Sequence, residues 1–151
     1  MSLWERLEKL GEDNYEVVYL TRPLEGHCLC LSIKIMAVKS AENKDSSLLH
    51  ERDILSKFKG CPHIIRLFGY DFTVEGTKVF TNIFLEYALG GTLHHRIQSS
   101  KTVECKGIPE IEAKEYTLSI LKGLRYIHES GYVHCDIKPE NILMVDEKAK
   151  I

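Results

Sequence analysis

The sequence lacks long hydrophobic runs: its uninterrupted apolar stretches, such as residues 35–38, are far shorter than the roughly 20 residues of a membrane-spanning helix. It also lacks an excess of one charge, since 20 lysines and arginines against 22 aspartates and glutamates give a net charge of −2. This balance gives no reason to expect nucleic acid or an anionic membrane as the main partner. The first residues show no basic segment followed by an apolar run, so we expect no signal peptide and a cytoplasmic or nuclear protein.

The five cysteines are odd in number and follow no repeated spacing. Without a visible signal peptide, this pattern predicts reduced thiols rather than a disulfide framework. Neither Cys28 with Cys30 nor the adjacent His94 and His95 has the spacing of a structural zinc site. What the chain does contain, 44% hydrophobic and 28% charged residues over 151 positions, is typical of one folded domain.

Several segments of the first forty residues have the composition of β-strands. Residues 15–21 are rich in β-branched and aromatic side chains, and apolar residues alternate with polar ones at 31–38. The first segment is ambiguous, because Trp4, Leu7 and Leu10 recur every three residues and fit a helix as well as a strand.

The remainder of the chain predicts helices separated by strands. Residues 46–58 have a helical period, and residues 64–70 and 79–87 are strand-like, with a turn between them. A long helix is expected from Pro109 to about His128, capped at its carboxyl end by Gly131. This order predicts an α+β fold in two parts rather than strict alternation of strands and helices.

Residues 134–141, His-Cys-Asp-Ile-Lys-Pro-Glu-Asn, carry the strongest chemical signal. Asp136 can accept a proton from a hydroxyl, Lys138 can neutralise a transferring phosphoryl group, and Asn141 can offer an oxygen to Mg²⁺. The alternative is a polar turn in which Asp136 and Asn141 act only as turn residues. The complete run of eight residues favours the chemical interpretation.

These eight residues resemble the catalytic loop of eukaryotic protein kinases, and their Lys-Pro-Glu-Asn form is similar to the serine/threonine branch. Residues 37–39, Ala-Val-Lys, resemble the lysine motif of the third strand, and Glu51 resembles the partner glutamate of the following helix. The residues at 61–65 and the Gly-Gly-Thr-Leu at 90–93 most resemble plant mitogen-activated protein kinase kinase kinases.

The resemblance implies an α+β kinase fold. Residues 1–87 would form an antiparallel-sheet small lobe with one inserted helix and the start of the hinge, and residues 88–151 the end of the hinge and the first, mainly helical part of a large lobe. Because the sequence stops at Ile151, before the Asp-Phe-Gly segment of the family, we expect an incomplete kinase domain. We therefore expect part of the long helix to stay exposed, along a stripe of Ala113, Tyr116, Ile120, Leu124 and Ile127.

The resemblance also implies roles for individual residues. Asp136 would be the catalytic base, Lys138 the phosphate-stabilising cation and Asn141 the magnesium ligand. The expected ATP-binding residues are Leu10, Gly11, Val18, Ala37, Lys39, Glu51, Leu85, Glu86, Ala88 and Leu143. Glu51 also falls on the apolar stripe of its helix, where a carboxylate needs a partner such as Lys39. A purely structural ion pair, or a Glu51 that reaches solvent, is the alternative.

The loop that covers the phosphates in the family is rich in glycine, and here it departs from that pattern. Within residues 11–18 only Gly11 and Val18 match, and Asp13 and Glu16 stand at the other two glycine positions. Side chains hinder the approach of backbone amides to phosphate, and carboxylates add repulsion. We expect weakened ATP binding if both carboxylates face inward and a small loss if they point outward.

The function implied by the resemblance is ATP-dependent phosphorylation of serine or threonine in a signalling cascade. Its cofactors would be ATP and Mg²⁺, and its partner a protein substrate such as a downstream kinase, with no nucleic acid or membrane partner. Asp13, Glu16 and the missing Asp-Phe-Gly segment motivate the alternative. In that alternative the chain is an inactive kinase fragment or pseudokinase that acts as an interaction module.

Overall fold

The computed structural model describes five stretches of the chain, namely residues 4–13, 15–24, 33–43, 47–101 and 107–151. Within these stretches no helix is long and apolar enough to cross a membrane. Cys61 and Cys135 are free thiols. The other three cysteines, and the first part of the strand expected at 31–38, lie outside the described residues.

The described elements form two compact units, the first of which comprises residues 1–59 and 66–87. This unit is built on an antiparallel five-stranded sheet with the strand order β1-β2-β3-β5-β4. Its strands are β1 (Trp4–Glu12), β2 (Glu16–Pro23), β3 (Met36–Glu42), β4 (Leu67–Glu75) and β5 (Lys78–Leu85). One helix, α1 (Ser47–Lys57), is inserted between β3 and β4. The expected antiparallel sheet with one inserted helix is confirmed.

The first segment of the chain is a strand. Trp4 is buried with Met36, Val38 and Phe84, and its indole lies edge-on to the Phe84 ring at 6.0 Å between centroids. The pairing of β1 with β2 shifts between Arg6 and Glu8 and again between Lys9 and Gly11. Leu7 and Leu10 are the extra residues at these two shifts, and both are exposed, so their spacing from Trp4 does not reflect a buried helical face.

Two strand boundaries differ from the sequence expectation. Strand β3 begins at Met36 rather than near residue 31, and β4 begins at Leu67 rather than at residue 64. Residues 60–65 belong to the second unit instead, although the sequence analysis includes them in the small lobe. There the amide of Ile65 donates to the carbonyl of Ile151 at 2.7 Å, a non-local pairing that no local pattern indicates.

The second unit comprises residues 60–65 and 88–151. Its elements are the helices α2 (Leu93–Ser99) and α3 (Glu110–Glu129), a 3-10 turn at Pro139–Asn141, and the hairpin β6 (Leu143–Val145) with β7 (Lys148–Lys150). The long helix α3 is confirmed, starting directly after Pro109 and followed by Gly131 with a φ of +83°. Helix α2 was not expected. Thr92 caps it, since its hydroxyl accepts from the amide of His95 at 3.2 Å.

The partial exposure expected along helix α3 is found for some residues of the stripe and not for others. Tyr116 and Ile127 are buried, and the three other residues of the expected stripe are half-buried. The helix packs against β7, and Gly123 is buried where the helix approaches Ile151 and the backbone of His63. The exposed apolar residues of α3 lie elsewhere on its surface, at Ile111, Leu118, Leu121 and Tyr126.

We predict that Gly123→Ala destabilises the protein. A Cβ at this position would lie 2.9 Å from Cδ1 of Ile151 and 3.0 Å from the carbonyl oxygen of His63, so the Ile151 side chain must move and the contact with the His63 carbonyl must widen. Overpacking of this kind costs about 1–3 kcal/mol, which outweighs the better helix propensity of alanine. Chemical denaturation measures the loss. Gly107→Ala is the control, since a Cβ there meets nothing within 4 Å, and equal stability of both variants would contradict the packing argument.

Candidate active site

The sheet register places several of the predicted nucleotide-binding residues on one face of the first unit. Lys39 lies in the central part of β3, opposite Val18 of β2 and Ile83 of β5. Directly paired residues share a face, as do residues two apart on one strand. Ala37, which is paired with Leu85, therefore shares the face of Lys39.

The ammonium group of Lys39 contacts two carboxylates. Its Nζ lies 2.6 Å from Oε2 of Glu51 in α1, so the expected ion pair is present. It also lies 2.7 Å from Oε2 of Glu16, at the start of β2. Glu16 is two residues from Val18 and shares its face, so this carboxylate faces inward. The sequence did not indicate the contact of Glu16 with Lys39, because both an inward and an outward direction of this carboxylate were compatible with it.

Lys39 is charged despite being largely covered, with its side chain 21% exposed. Burial by itself lowers the pKa of an amine, because the charged form loses its hydration. The charges and hydrogen bonds of Glu51 and Glu16 outweigh this effect and raise the pKa of Lys39 above its ordinary value. Lys39 and its two partners together carry a net charge of minus one.

The turn between β1 and β2 holds Glu16 in position. The amide of Asp13 donates to the carbonyl of Glu16 at 2.9 Å, and the amide of Glu16 donates back to the carbonyl of Asp13 at 3.4 Å. Asp13 and Glu16 also line a cavity of about 590 Å³ with Tyr15 and Ser47. Two of the four residues that line this cavity are therefore acidic.

The remaining predicted nucleotide-binding residues occupy different settings. Leu10 is the extra residue at the second shift of β1 and is exposed, while Gly11 is paired with Val18. The amide of Glu86 donates to the carbonyl of Arg66 at 2.9 Å. Two of these residues belong to the second unit: the carbonyl of Ala88 accepts from Gly91 at 3.0 Å, and half-buried Leu143 forms a β-bridge with Thr92.

In the second unit, the three predicted catalytic-loop residues are in direct contact. The Nζ of Lys138 lies 3.1 Å from Oδ2 of Asp136, and Nδ2 of Asn141 donates to the same oxygen at 2.8 Å. A second bond runs from Nδ2 of Asn141 to the carbonyl of Asp136 at 3.0 Å. The 3-10 turn at Pro139–Asn141 returns the chain so that Asn141 reaches the aspartate.

The electrostatics of this loop keep Asp136 ionised. The hydrogen bond from Lys138 is the main cause that holds the pKa of Asp136 below its usual value, and the bond from Asn141 acts in the same direction. Burial lowers the pKa of His134, whose Nδ1 accepts from the amide of Asp136 at 3.3 Å. A neutral imidazole can accept such a bond, so His134 supports the aspartate backbone.

The residue before Asp136 has an unusual backbone conformation. Cys135 has a φ of +65°, in the left-handed region that residues other than glycine rarely adopt. Such conformations cost about 1–3 kcal/mol and persist where the surrounding contacts demand them. No local sequence pattern indicates this conformation at Cys135.

The donor chemistry of the loop fits a hard cation. Both side-chain hydrogen bonds of Asn141 use its nitrogen, and its carbonyl oxygen is a ligand type that Mg²⁺ prefers. Among the residues that the structure describes, no group of three or more His, Cys, Asp or Glu side chains could hold a metal by itself. A magnesium ion here would take its remaining ligands from phosphate and water, which is common for this metal.

Comparison with known proteins also bears on the function of this site. The family profile described as "Protein kinase domain" matches residues 4–151. Mitogen-activated protein kinase kinase kinase 20 of Arabidopsis thaliana is 40% identical over 114 residues, covering 75% of this chain and 32% of that protein. Mitogen-activated protein kinase kinase kinase 17 of the same plant is 35% identical, covering 98% of this chain and 38% of that protein.

A relative from an animal has a similar degree of sequence identity to this chain. Serine/threonine-protein kinase grp of Drosophila melanogaster is 35% identical over 142 residues, covering 93% of this chain and 25% of that protein. The chain thus spans 25% to 38% of the length of these three relatives. The similarity therefore concerns one region of longer proteins.

We predict that Lys138→Met raises the pKa of the Asp136 carboxyl group. The variant removes the hydrogen bond and the positive charge that chiefly lower this pKa. Carboxyl ¹³C NMR titration of the labelled chain measures the shift. Lys148→Met, a change of the same type at an exposed position of β7, is the control and should leave Asp136 unchanged. An unaltered Asp136 titration in Lys138→Met would show that the contact is absent in solution.

Proposed function

The chain belongs to the protein kinase family, and from this membership we propose that it takes part in ATP-dependent phosphorylation of protein serine or threonine residues. One of the three relatives is named a serine/threonine-protein kinase, and the other two are named mitogen-activated protein kinase kinase kinases. Protein kinases use ATP and Mg²⁺ in general. The observation that carries the proposal is the contact of Asp136 with Lys138 and Asn141, since each supplies a group that phosphoryl transfer uses.

Asp136 is the proposed catalytic base. Its pKa lies below the usual value, so the carboxylate is ionised at neutral pH and can accept a hydrogen bond from a substrate hydroxyl and orient that oxygen. Lys138 carries the positive charge that offsets the negative charge of the phosphoryl group. The oxygen of Asn141 is the proposed contribution of this loop to Mg²⁺ binding.

Lys39 is the proposed ligand of the ATP phosphates, because it is a cation on the sheet face that also presents Val18 and Ala37. Glu51 holds the lysine side chain from α1 at 2.6 Å. We propose that the other residues expected to bind nucleotide contribute apolar surface and backbone groups: Leu10, Gly11, Leu85, Glu86, Ala88 and Leu143. The substrate protein that fits this proposal is another kinase of a signalling cascade, and the cytoplasmic or nuclear location stays a prediction.

A second candidate function has one observation in its favour. Glu16 already occupies the ammonium of Lys39 at 2.7 Å, which favours a kinase-like module that binds a partner without transferring phosphate. The two functions differ in their dependence on Asp136. Phosphate transfer needs its carboxylate, whereas partner binding by an inactive module does not.

We predict that Asp136→Asn lowers phosphate transfer to a serine-containing peptide by roughly 10²- to 10⁴-fold, the usual effect of removing a general base. The measurement follows ³²P from labelled Mg-ATP into the peptide. Asp146→Asn is the matched control because it removes the same charge in the turn between β6 and β7. Its φ of +46° suits asparagine.

Transfer at the unmodified rate by Asp136→Asn would contradict the assignment of the base. No transfer by the unmodified chain, with ATP still bound, would favour the inactive module. Loss of both transfer and nucleotide binding in the unmodified chain would refute the nucleotide-dependent function.

A further inference from the structure

We propose that Glu16 is a built-in competitor of the ATP phosphates for Lys39, so that nucleotide must displace this carboxylate in order to bind. The inference rests on the proposed function, in which Lys39 binds the phosphates. It concerns a residue at a position where the family pattern has glycine, which offers no side chain to compete. Glu16 would thus set the affinity and the phosphate preference of the nucleotide site.

The contact is as close as the ion pair made by the helix. Glu16 lies 2.7 Å from the ammonium and Glu51 lies 2.6 Å from it, both typical of charge-assisted hydrogen bonds. An ammonium has three donors, and two of them point to these carboxylates. A phosphate oxygen that approaches Lys39 therefore meets a cation that is already neutralised.

The position of Glu16 follows from the backbone rather than from a chance side-chain conformation. Glu16 is the first residue of β2 and is paired with Ala41 of β3, which places its side chain on the face of Lys39. The reciprocal backbone bonds with Asp13 close the turn that precedes it. Its side chain is only 23% exposed, so it is held against the lysine instead of extending into water.

Glu51 and Glu16 have different consequences for a nucleotide. Glu51 reaches the ammonium from helix α1, an element separate from the strand that carries Glu16. Glu16 is the first residue of β2, directly after the turn, and breaking its pair frees one donor of Lys39 for a phosphate oxygen. The carboxylate and the phosphate carry the same sign of charge, so the two cannot share the ammonium without repulsion.

The inference has a distinctive signature in binding. Repulsion acts on ligands with phosphate groups and leaves adenosine, which has none, almost unaffected. Glu16→Gln keeps the size and the hydrogen-bonding capacity of the side chain and removes its charge. We expect Glu16→Gln to lower the Kd of Mg-ATP about tenfold or more, while the Kd of adenosine changes by less than about twofold.

The matched control is Glu12→Gln, in the other strand of the same hairpin. Glu12 also carries one negative charge, but its ion partner is Lys9 rather than Lys39. Removing the charge of Glu12 changes the general field of the hairpin by a similar amount and leaves the Glu16 contact intact. Isothermal titration of the unmodified chain and both variants with Mg-ATP, Mg-ADP and adenosine compares the specific and the general effect.

A lower Kd for Mg-ATP and Mg-ADP in Glu16→Gln but not in Glu12→Gln would support the role of Glu16 as a competitor. The proposal would be overturned if both variants gained the same affinity for these ligands or if neither gained any. It would also be overturned if the affinity for adenosine rose by the same factor. If none of the three proteins binds any nucleotide or adenosine, the proposed function fails and the competitor fails with it.

A second measurement tests the contact without a nucleotide. Because Glu16 helps to raise the pKa of Lys39, Glu16→Gln should lower that pKa in the ligand-free chain, whereas Glu12→Gln should not. ¹³C NMR titration of the lysine Cε signals, assigned with Lys39→Arg, reports the change. An unchanged Lys39 titration in Glu16→Gln would overturn the inference even if nucleotide binding itself were established.

Discussion

The half-buried ammonium of Lys39 and its two carboxylate partners connect three elements of the first unit. Glu51 ties α1 to β3, and Glu16 ties the beginning of β2 to the same atom. A covered charge without a partner is costly, so each carboxylate helps to stabilise the Lys39 ammonium in this position. The ammonium that binds both carboxylates is the same group that a phosphate would have to use. Structural stability and nucleotide affinity are therefore opposed at Lys39.

The catalytic loop of the second unit is organised differently. Asp136 and Lys138 are largely exposed, with 62% and 49% of their side chains accessible, and such ion pairs contribute little to stability. Their hydrogen bonds serve to orient the aspartate and to keep it ionised. The positive φ of Cys135 shows that the local backbone accepts strain to make this geometry. These contacts therefore fix the position of the Asp136 carboxylate and add little to the stability of the fold.

Sequence patterns predicted the parts of the structure that depend on local periodicity. The helical stripe that contains Glu51 implied a cationic partner, and the run around Asp136 indicated three residues that are in contact. The direction of Glu16 was open, because it depends on the register that the turn imposes on β2. The burial of Tyr116 and the later start of β4 were missed for a related reason. Tyr116 belongs to the helix that packs against β7, and the later start of β4 accompanies the bond from Ile65 to Ile151, so both involve residues distant in sequence.

The measurement that tests the role of Lys39 most directly is labelling with an acyl-phosphate derivative of ATP. In this reagent the amine of a lysine near the phosphates attacks the acyl carbon, forming an amide and releasing the nucleotide. The account predicts that mass spectrometry finds the label on Lys39, that excess Mg-ATP prevents it, and that Glu16→Gln increases it. Labelling that avoids Lys39, or labelling of Lys39 that Mg-ATP does not reduce, would contradict the account.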